Sequence, residues 1–465
     1  MPDAKLPSRL PPQSIFKAYD IRGVVGQTLT PEGAQLIGAA IGSELRSRGL
    51  SGIVVGRDGR LSGPELAGAL IEGLRGTGCS VFNAGRIPTP VLYFASIHLG
   101  VHSGVMVTGS HNPPDYNGFK VVLGGETLFG PYIQELYERI RDGRFSHGQG
   151  SVQEVDVRED YLARIANDVH LARPIKVAID CGNGVTGELA PELFRRLGCE
   201  VEELFCDIDG RFPNHHPDPS QPGNLADLIA AVDAGSAVVG LAFDGDGDRL
   251  GVVARGGKII WPDRQLILFS RDVLRQHPGA EIIYDVKCSR TLGQAIREAG
   301  GIPVMWKTGH SFIKARLKKP EALLAGEMSG HLFFKDRWYG FDDGLYAGAR
   351  LLELLSRDNR PSERVFQDLP DTINTPELHI AVENGDPHRI VSDLAQIANF
   401  PGAEITTIDG LRVDFDDGWG LVRASNTTPV LVLRFEADTE ASLHRIEHDF
   451  GELLLRVKPD ACLPF

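Results

Sequence analysis

The stretch Gly104-Val105-Met106-Val107-Thr108-Gly109-Ser110-His111-Asn112-Pro113 decides how this chain is read. A short apolar, strand-like segment runs straight into a polar turn, with Gly109 to relax the backbone and Asn112-Pro113 as the turn signal. A serine held at the mouth of such a turn can act as a nucleophile or carry a phosphoryl group. Alone, the stretch also reads as an ordinary turn containing Ser, Gly and Pro. Its meaning comes from what recurs around it.

Three similar units are visible. Each opens with a buried-type strand ending in a turn: Ile53 to Asp58, Val177 to Asn183, and Ile282 to Lys287. A helical segment follows, Pro64 to Leu74 with Ser62 as its cap in the first unit and Ser289 to Ala299 in the third. Gly78, Gly198 and Gly300 supply the helix stops. Second strands come next at Ser80 to Phe82, Val201 to Phe205 and Pro303 to Met305. A third strand then enters a polar loop: Thr108 to Pro113, then Asp244-Gly245-Asp246-Gly247-Asp248-Arg249, then Gly326-Glu327-Met328-Ser329-Gly330-His331. Strand-helix-strand alternation implies parallel pairing, and ligands of such sheets sit beyond the carboxyl ends of the strands.

The tail differs. Gln367 to Pro376 reads as a linker. A strand (Glu377 to Val382), a helix (Pro387 to Ile397) and three strands (Ile405 to Phe415, Gly420 to Ala424, Val430 to Ala437) follow, then a last amphipathic helix from Glu440 to Leu455. This small α+β domain carries a fourth polar loop, Arg423-Ala424-Ser425-Asn426-Thr427-Thr428-Pro429. The expected architecture is α/β: three similar domains of mixed sheet flanked by helices, plus a smaller C-terminal α+β domain. Their expected bounds are 1–153, 154–257, 258–369 and 370–465.

With 465 residues, 42% hydrophobic and 24% charged, the chain has the composition of an ordinary soluble protein. Its net charge of −14 argues against a nucleic-acid or anionic-membrane partner, which would ask for a basic footprint. No signal peptide or membrane span is expected, and the expected location is cytoplasmic. The six cysteines are scattered without a Cys-x-x-Cys pair and read as reduced thiols rather than a zinc site. His215-His216 reads as part of a loop rather than as a ligand pair.

Asp244, Asp246 and Asp248 alternate with glycines that permit a curled backbone, turning three carboxylates inward. That donor set suits a hard divalent cation, Mg²⁺ first. An EF-hand is excluded, because its sixth position would be Arg249 and its twelfth Arg255. Arg423, Ser425, Asn426 and Thr427 gather the donors that a phosphate wants. A phosphorylated Ser110 would add about −1.5 to −2. Together with three aspartates, that exceeds what one divalent ion cancels. Arg249, Lys120 and Arg22 could supply the rest, with Lys17, Arg57 and Arg60 as further positive charge. Metal and cations on the phosphoryl oxygens, facing an in-line nucleophile, are the parts of phosphoryl transfer.

With these four loops in this order and spacing, the chain resembles the α-D-phosphohexomutases, in particular their bacterial phosphomannomutase/phosphoglucomutase branch. The resemblance covers essentially the whole sequence. It implies four domains around a deep cleft, and interconversion of hexose 1-phosphate and hexose 6-phosphate through a hexose 1,6-bisphosphate, which also serves as activator. It implies that Ser110 is the phosphoserine and that Asp244, Asp246 and Asp248 hold Mg²⁺ together with a phosphoserine oxygen. Glu327 and Ser329 would grip sugar hydroxyls, and Arg423, Ser425, Asn426 and Thr427 the non-reacting phosphate. Tyr19, Arg22, Lys120, Arg249, Lys287, His310 and His331 would line the cleft. Lys120 and His331 are the acid/base candidates, with Arg249 and His310 supporting; His310 also reads as a plain loop hydrogen-bonder. Hexose phosphates are the expected partners and a monomer the expected state. A glucosamine-preferring mutase, a metal-dependent phosphatase and a non-catalytic binder are the alternatives, and Met328 favours mannose and glucose by resemblance.

Overall fold

The computed structural model describes residues 10–383, 385–426 and 428–465. The chain packs as two compact units. One holds the residues up to Pro262 together with Ser329–Gln367, and the other holds Asp263–Met328 together with Asp368–Phe465.

In the first unit, one sheet has the order Ile21–Val24, Tyr116–Leu123, Gly104–Val107, Gly52–Arg57, Ser80–Arg86, Val152–Glu154. Gly52–Arg57 runs parallel to both Ser80–Arg86 and Gly104–Val107, and Tyr116–Leu123 returns antiparallel. A second sheet has the order Lys258–Ile259, Leu250–Ala254, Val239–Phe243, Lys176–Asp180, Glu200–Leu204. Here Lys176–Asp180 is parallel to both neighbours. In the second unit, Glu281–Asp285 lies parallel between Ile302–Trp306 and Ala322–Gly326. The same three-strand arrangement therefore occurs three times, as the repeat in the sequence leads one to expect.

The helix stops behave as read. Gly78, Gly198 and Gly300 have φ of 88°, 92° and 84°, and each donates its N–H back to the preceding helix. Ser289 caps Arg290–Glu298 by accepting from Thr291 N. Ser62 departs from expectation. It precedes helix Gly63–Gly76 but makes no side-chain cap; its Oγ instead accepts from Asn117 Nδ2 at 2.9 Å.

In the tail, the strand expected over Ile405 to Phe415 is two strands, Glu404–Thr406 and Leu411–Phe415, paired antiparallel. Gly410 at the turn has φ of 99°, and a Cβ there would lie 2.5 Å from Val422 O. Within the expected linker, Ile373–Asn374 pairs with Glu436 and Ala437 and so belongs to the C-terminal sheet. Pro387–Ile397 is helical as read, and the final helix spans Glu440–Val457. Among the described residues, no helix is long and apolar enough to cross a membrane.

Helix Gly344–Arg357 packs on the second sheet, against Val239–Phe243 and Leu250–Ala254. It is buried on nearly every face. Asp343 caps it, accepting from Tyr346 N at 2.9 Å and from Tyr161 Oη at 2.9 and 3.0 Å. Burial pushes the Asp343 carboxyl up to about 7, against the pull of these hydrogen bonds. A carboxyl raised in the folded state contributes stability that is complete below its unfolded value, near 4, and is lost as pH rises through 7. Asp343→Asn keeps the cap and removes the ionisation. Chemical unfolding between pH 4 and 8 should show the wild type losing stability relative to this variant, by a few kcal/mol in all. Identical pH slopes for the two proteins would contradict this.

Candidate active site

The register of the first sheet sets Arg57 level with Val107, which leaves Asp58 and Thr108 side by side at the carboxyl ends of their strands. Asp58 Oδ2 accepts from Thr108 Oγ1 at 2.7 Å and Gly109 N at 3.2 Å, and Thr108 Oγ1 accepts in turn from Ser110 N at 2.8 Å. The buried Arg60 guanidinium completes the loop. It donates to Ser110 O at 2.8 Å, Asn112 O at 2.6 Å, Tyr116 O at 2.9 Å and Pro113 O. Its face lies 5.1 Å from the Phe212 ring. The left-handed residue of the turn is Ser110 itself, at φ of 49°, not Gly109. Gly109 serves another end: a Cβ there would meet Arg60 Cζ at 2.4 Å. Arg60, grouped with the free positive charges from sequence, is occupied in holding this loop.

Ser110 is buried, and its Oγ donates to Asp244 Oδ2 at 2.9 Å. Asp244, Asp246 and Asp248 are wholly buried, with a carboxylate oxygen from each inside a 4.8 Å cluster. Asp244 Oδ1 accepts from Gly247 N at 3.0 Å and Arg249 N at 3.2 Å, which curls the loop. Lys120 Nζ donates to Asp246 Oδ2 at 2.7 Å and to Asp248 Oδ2. Burial opposes the Lys120 charge, but Asp246, Asp248 and Asp244 outweigh it and raise the ammonium above its ordinary value. Burial and the neighbouring aspartates push the Asp244 carboxyl well up. Asp246 Oδ1 and Asp248 Oδ1 are buried with no hydrogen-bond donor. All-oxygen donors with unsatisfied lone pairs fit a hard divalent cation such as Mg²⁺.

His331 and Arg249 join this cluster through a backbone bridge. Arg249 Nε donates to His331 Nε2 at 3.2 Å, while His331 Nδ1 lies 3.3 Å from Asp342 Oδ2 and 3.5 Å from Asp248 Oδ1. Nε2 thus accepts from the Arg249 guanidinium, while Nδ1 faces the two carboxylates. Arg22 donates to Asn112 Oδ1 and Asp20 Oδ2, and Tyr19 is half-buried just ahead of it. His111 Nδ1 lies 3.2 Å from Ser110 Oγ. Burial, then Arg249 and Arg22, hold that imidazole well below its ordinary value, so it is neutral.

The remaining predicted residues lie in the second unit, apart from Ser329, which is half-buried at the start of the returning segment. Glu327 Oε1 accepts from Gly309 N, ahead of the buried His310. Lys287 Nζ donates to Glu377 Oε1 at 2.5 Å, and Arg434 donates to Lys287 O at 2.6 Å. Arg423 Nε donates to Asp409 Oδ2 at 3.1 Å, and Asp409 Oδ2 also accepts from Thr308 N at 3.0 Å. Ser425 Oγ pairs with Thr428 Oγ1 at 3.0 Å, and Asn426 is half-buried beside it. Thr427 lies outside the described residues.

Sequence reading missed Asp58, His111, Asp342, Glu377 and Asp409 as parts of these sites. A usable signal exists for one group. Each repeat ends its first strand in an aspartate, Asp58, Asp180 or Asp285, and each accepts from nearby loops. Asp180 Oδ2 lies 2.9 Å from His215 Nε2, while Asp285 takes Thr308 Oγ1 at 3.1 Å and Met328 N at 3.3 Å.

The phosphoglucomutase/phosphomannomutase family matches the chain as four consecutive domains. Its alpha/beta/alpha domains I, II and III match residues 13–147, 159–257 and 261–373, and its C-terminal domain matches 377–453. A phosphomannomutase/phosphoglucomutase of Pseudomonas aeruginosa is 58% identical over 465 residues, spanning 100% of both chains. A phosphoglucomutase of Neisseria meningitidis is 59% identical over 446 residues, 95% of this chain and 97% of that one. A solved structure of a family protein from Burkholderia thailandensis superposes with a TM-score of 0.93 at 58% identity, covering 98% of this chain and 100% of that one.

Arg60→Lys keeps the charge beside Asp58 but cannot reach four carbonyls at once. A misplacement of about 1 Å at a reacting group costs about 100-fold. Steady-state kinetics should therefore show kcat falling by that order while KM moves little. An unchanged kcat would remove Arg60 from the site.

Proposed function

The chain belongs to the phosphoglucomutase/phosphomannomutase family, and we propose that the loops described above divide its reaction among them. The protein is a phosphohexomutase: it interconverts the 1-phosphates and 6-phosphates of mannose and glucose through a phosphoserine enzyme and a hexose 1,6-bisphosphate. The names of the relatives favour this reading over an amino-sugar mutase or a phosphatase.

Phospho-Ser110 donates its phosphoryl group to O6 of a hexose 1-phosphate, forming the O6–P bond as the Oγ–P bond breaks. The bisphosphate turns over, its 1-phosphate returns to Ser110, and the 6-phosphate leaves. The observation that carries this assignment is the buried Ser110 Oγ bonded to Asp244 Oδ2 at 2.9 Å, inside the cluster that also contains Lys120. Lys120 and His331 serve as the acid/base groups for the sugar hydroxyl and the Ser110 oxygen, the Lys120 ammonium offering the positive charge that the departing Ser110 oxygen needs. Arg22 and Arg249 steady the phosphoryl oxygens. Asp244, Asp246, Asp248 and a serine phosphate oxygen would hold Mg²⁺, which when bound neutralises charge on the phosphoryl group.

Glu327 and Ser329 hold sugar hydroxyls, Tyr19 is a further substrate contact, and His310 supports the acid/base groups. Arg423, Ser425, Asn426 and Thr427, together with Lys287, grip whichever phosphate is not reacting, so binding energy is available in both half-reactions. A hexose 1,6-bisphosphate re-phosphorylates a Ser110 that has lost its phosphate.

Ser110→Ala should abolish turnover while circular dichroism and melting stay close to wild type. Near-normal activity would refute the nucleophile. Chelation of the divalent ion should stop phosphoryl transfer yet leave hexose-phosphate binding measurable by calorimetry. Full turnover in chelator would exclude the aspartate loop from the reaction.

A further inference from the structure

Cys181 and Cys206 sit just beyond the carboxyl ends of the parallel strands Lys176–Asp180 and Glu200–Leu204, whose register pairs Asp180 with Leu204. Their Sγ atoms are hydrogen-bonded at 3.6 Å. Cys181 is fully buried; Cys206 is half-buried and is the sulfur that a small solute reaches first. The hydrogen bond with Cys206, and then burial, hold the Cys181 thiol well above its ordinary range. Cys206, the more exposed of the two, is therefore the sulfur open to attack on a dissolved oxidant. Cys79 and Cys288 are engaged differently, with the Thr77 hydroxyl and the Asp285 carboxylate.

The turn that begins at Cys181 lies under the aspartate loop. Gly184 N donates to Cys181 O at 2.7 Å, and Val185 N donates to Gly245 O at 3.2 Å. A Cβ on Gly184 would already stand 3.1 Å from Gly245, so the contact has little slack. Asn183 N donates to Phe205 O at 2.8 Å, and both residues carry positive φ, 57° and 49°.

We propose that Cys181 and Cys206 form a reversible redox modification site, closed to a disulfide by a peroxide, and that closure lowers mutase activity by shifting the turn beneath Asp244–Asp248. The Cys206 sulfur attacks a peroxide oxygen as the O–O bond breaks, and the Cys206 proton leaves with the departing oxygen as water, giving a sulfenic acid. The Cys181 sulfur then attacks the Cys206 sulfur, forming S–S as S–O breaks, and a second water leaves with the Cys181 proton. Two thiols lose two electrons, and one peroxide becomes two waters. A disulfide holds its sulfurs at about 2.05 Å, so the pair must close by about 1.5 Å. Movement of that order beside a reacting group is enough to cost tenfold or more. The activity arm rests on the reading of the aspartate loop given above; the cross-link does not.

The test treats the full chain with hydrogen peroxide, maps the products by mass, measures kcat, and repeats after dithiothreitol, alongside Cys206→Ser. The wild type should lose two hydrogens, yield a peptide joining Cys181 to Cys206, drop in kcat by about tenfold or more, and recover with dithiothreitol. The variant should keep its kcat. Absence of that cross-linked peptide, or a sulfinic acid on Cys206 in its place, overturns the site. A cross-link with unchanged kcat, or an equal loss in the variant, overturns the activity arm. Normal turnover before treatment separates either failure from a failure of the mutase reading.

Discussion

Three carboxylates sharing one dry corner set the terms for the rest of this molecule. Asp244, Asp246 and Asp248 are wholly buried within a few ångströms of one another. Two like charges at that spacing repel by roughly 4 kcal/mol at an effective dielectric near 20. Lys120 answers part of that repulsion directly, and the Arg249 and Gly247 backbone amides answer more. The remaining negative charge makes the corner a trap for a cation. On the proposed reading, a phosphoryl group on Ser110 would sit beside a cluster already organised around concentrated charge.

The strand-terminal aspartates do the same structural work in all three repeats. Asp58 orders the serine turn, Asp180 holds His215, and Asp285 takes donors from the loops around His310 and Glu327. Each sits where the first strand of its repeat ends, and each ties down a neighbouring loop by its carboxylate. In the second unit, Arg412 and Arg434 apply the same logic in reverse, with buried guanidiniums on the backbone carbonyls of Val286, Lys287 and Cys288.

Much of this was legible in sequence, because strand, helix and glycine stop are local features with local causes. The three parallel trios and the left-handed Gly78, Gly198 and Gly300 were readable on that basis. Ile405 to Phe415 reads as one strand in sequence, although Asp409-Gly410 inside it is a hairpin signal. Other features depend on contacts distant in sequence. Arg60 looks like any surface cation until residues about fifty positions later wrap its guanidinium. Asp342 gains its meaning only when the chain returns to set it beside His331. Helix Gly344–Arg357 is buried on nearly every face, the charged Arg350 and Glu353 included, which local sequence does not foretell.

The central claim is that Ser110 carries the phosphoryl group that the sugar receives. Intact-mass analysis with site localisation, before and after incubation with a hexose 1-phosphate, tests it most directly. The account predicts a single phosphate on Ser110 that leaves with substrate and returns with a hexose 1,6-bisphosphate. A phosphate on another residue, or one on Ser110 that substrate never removes, would contradict it.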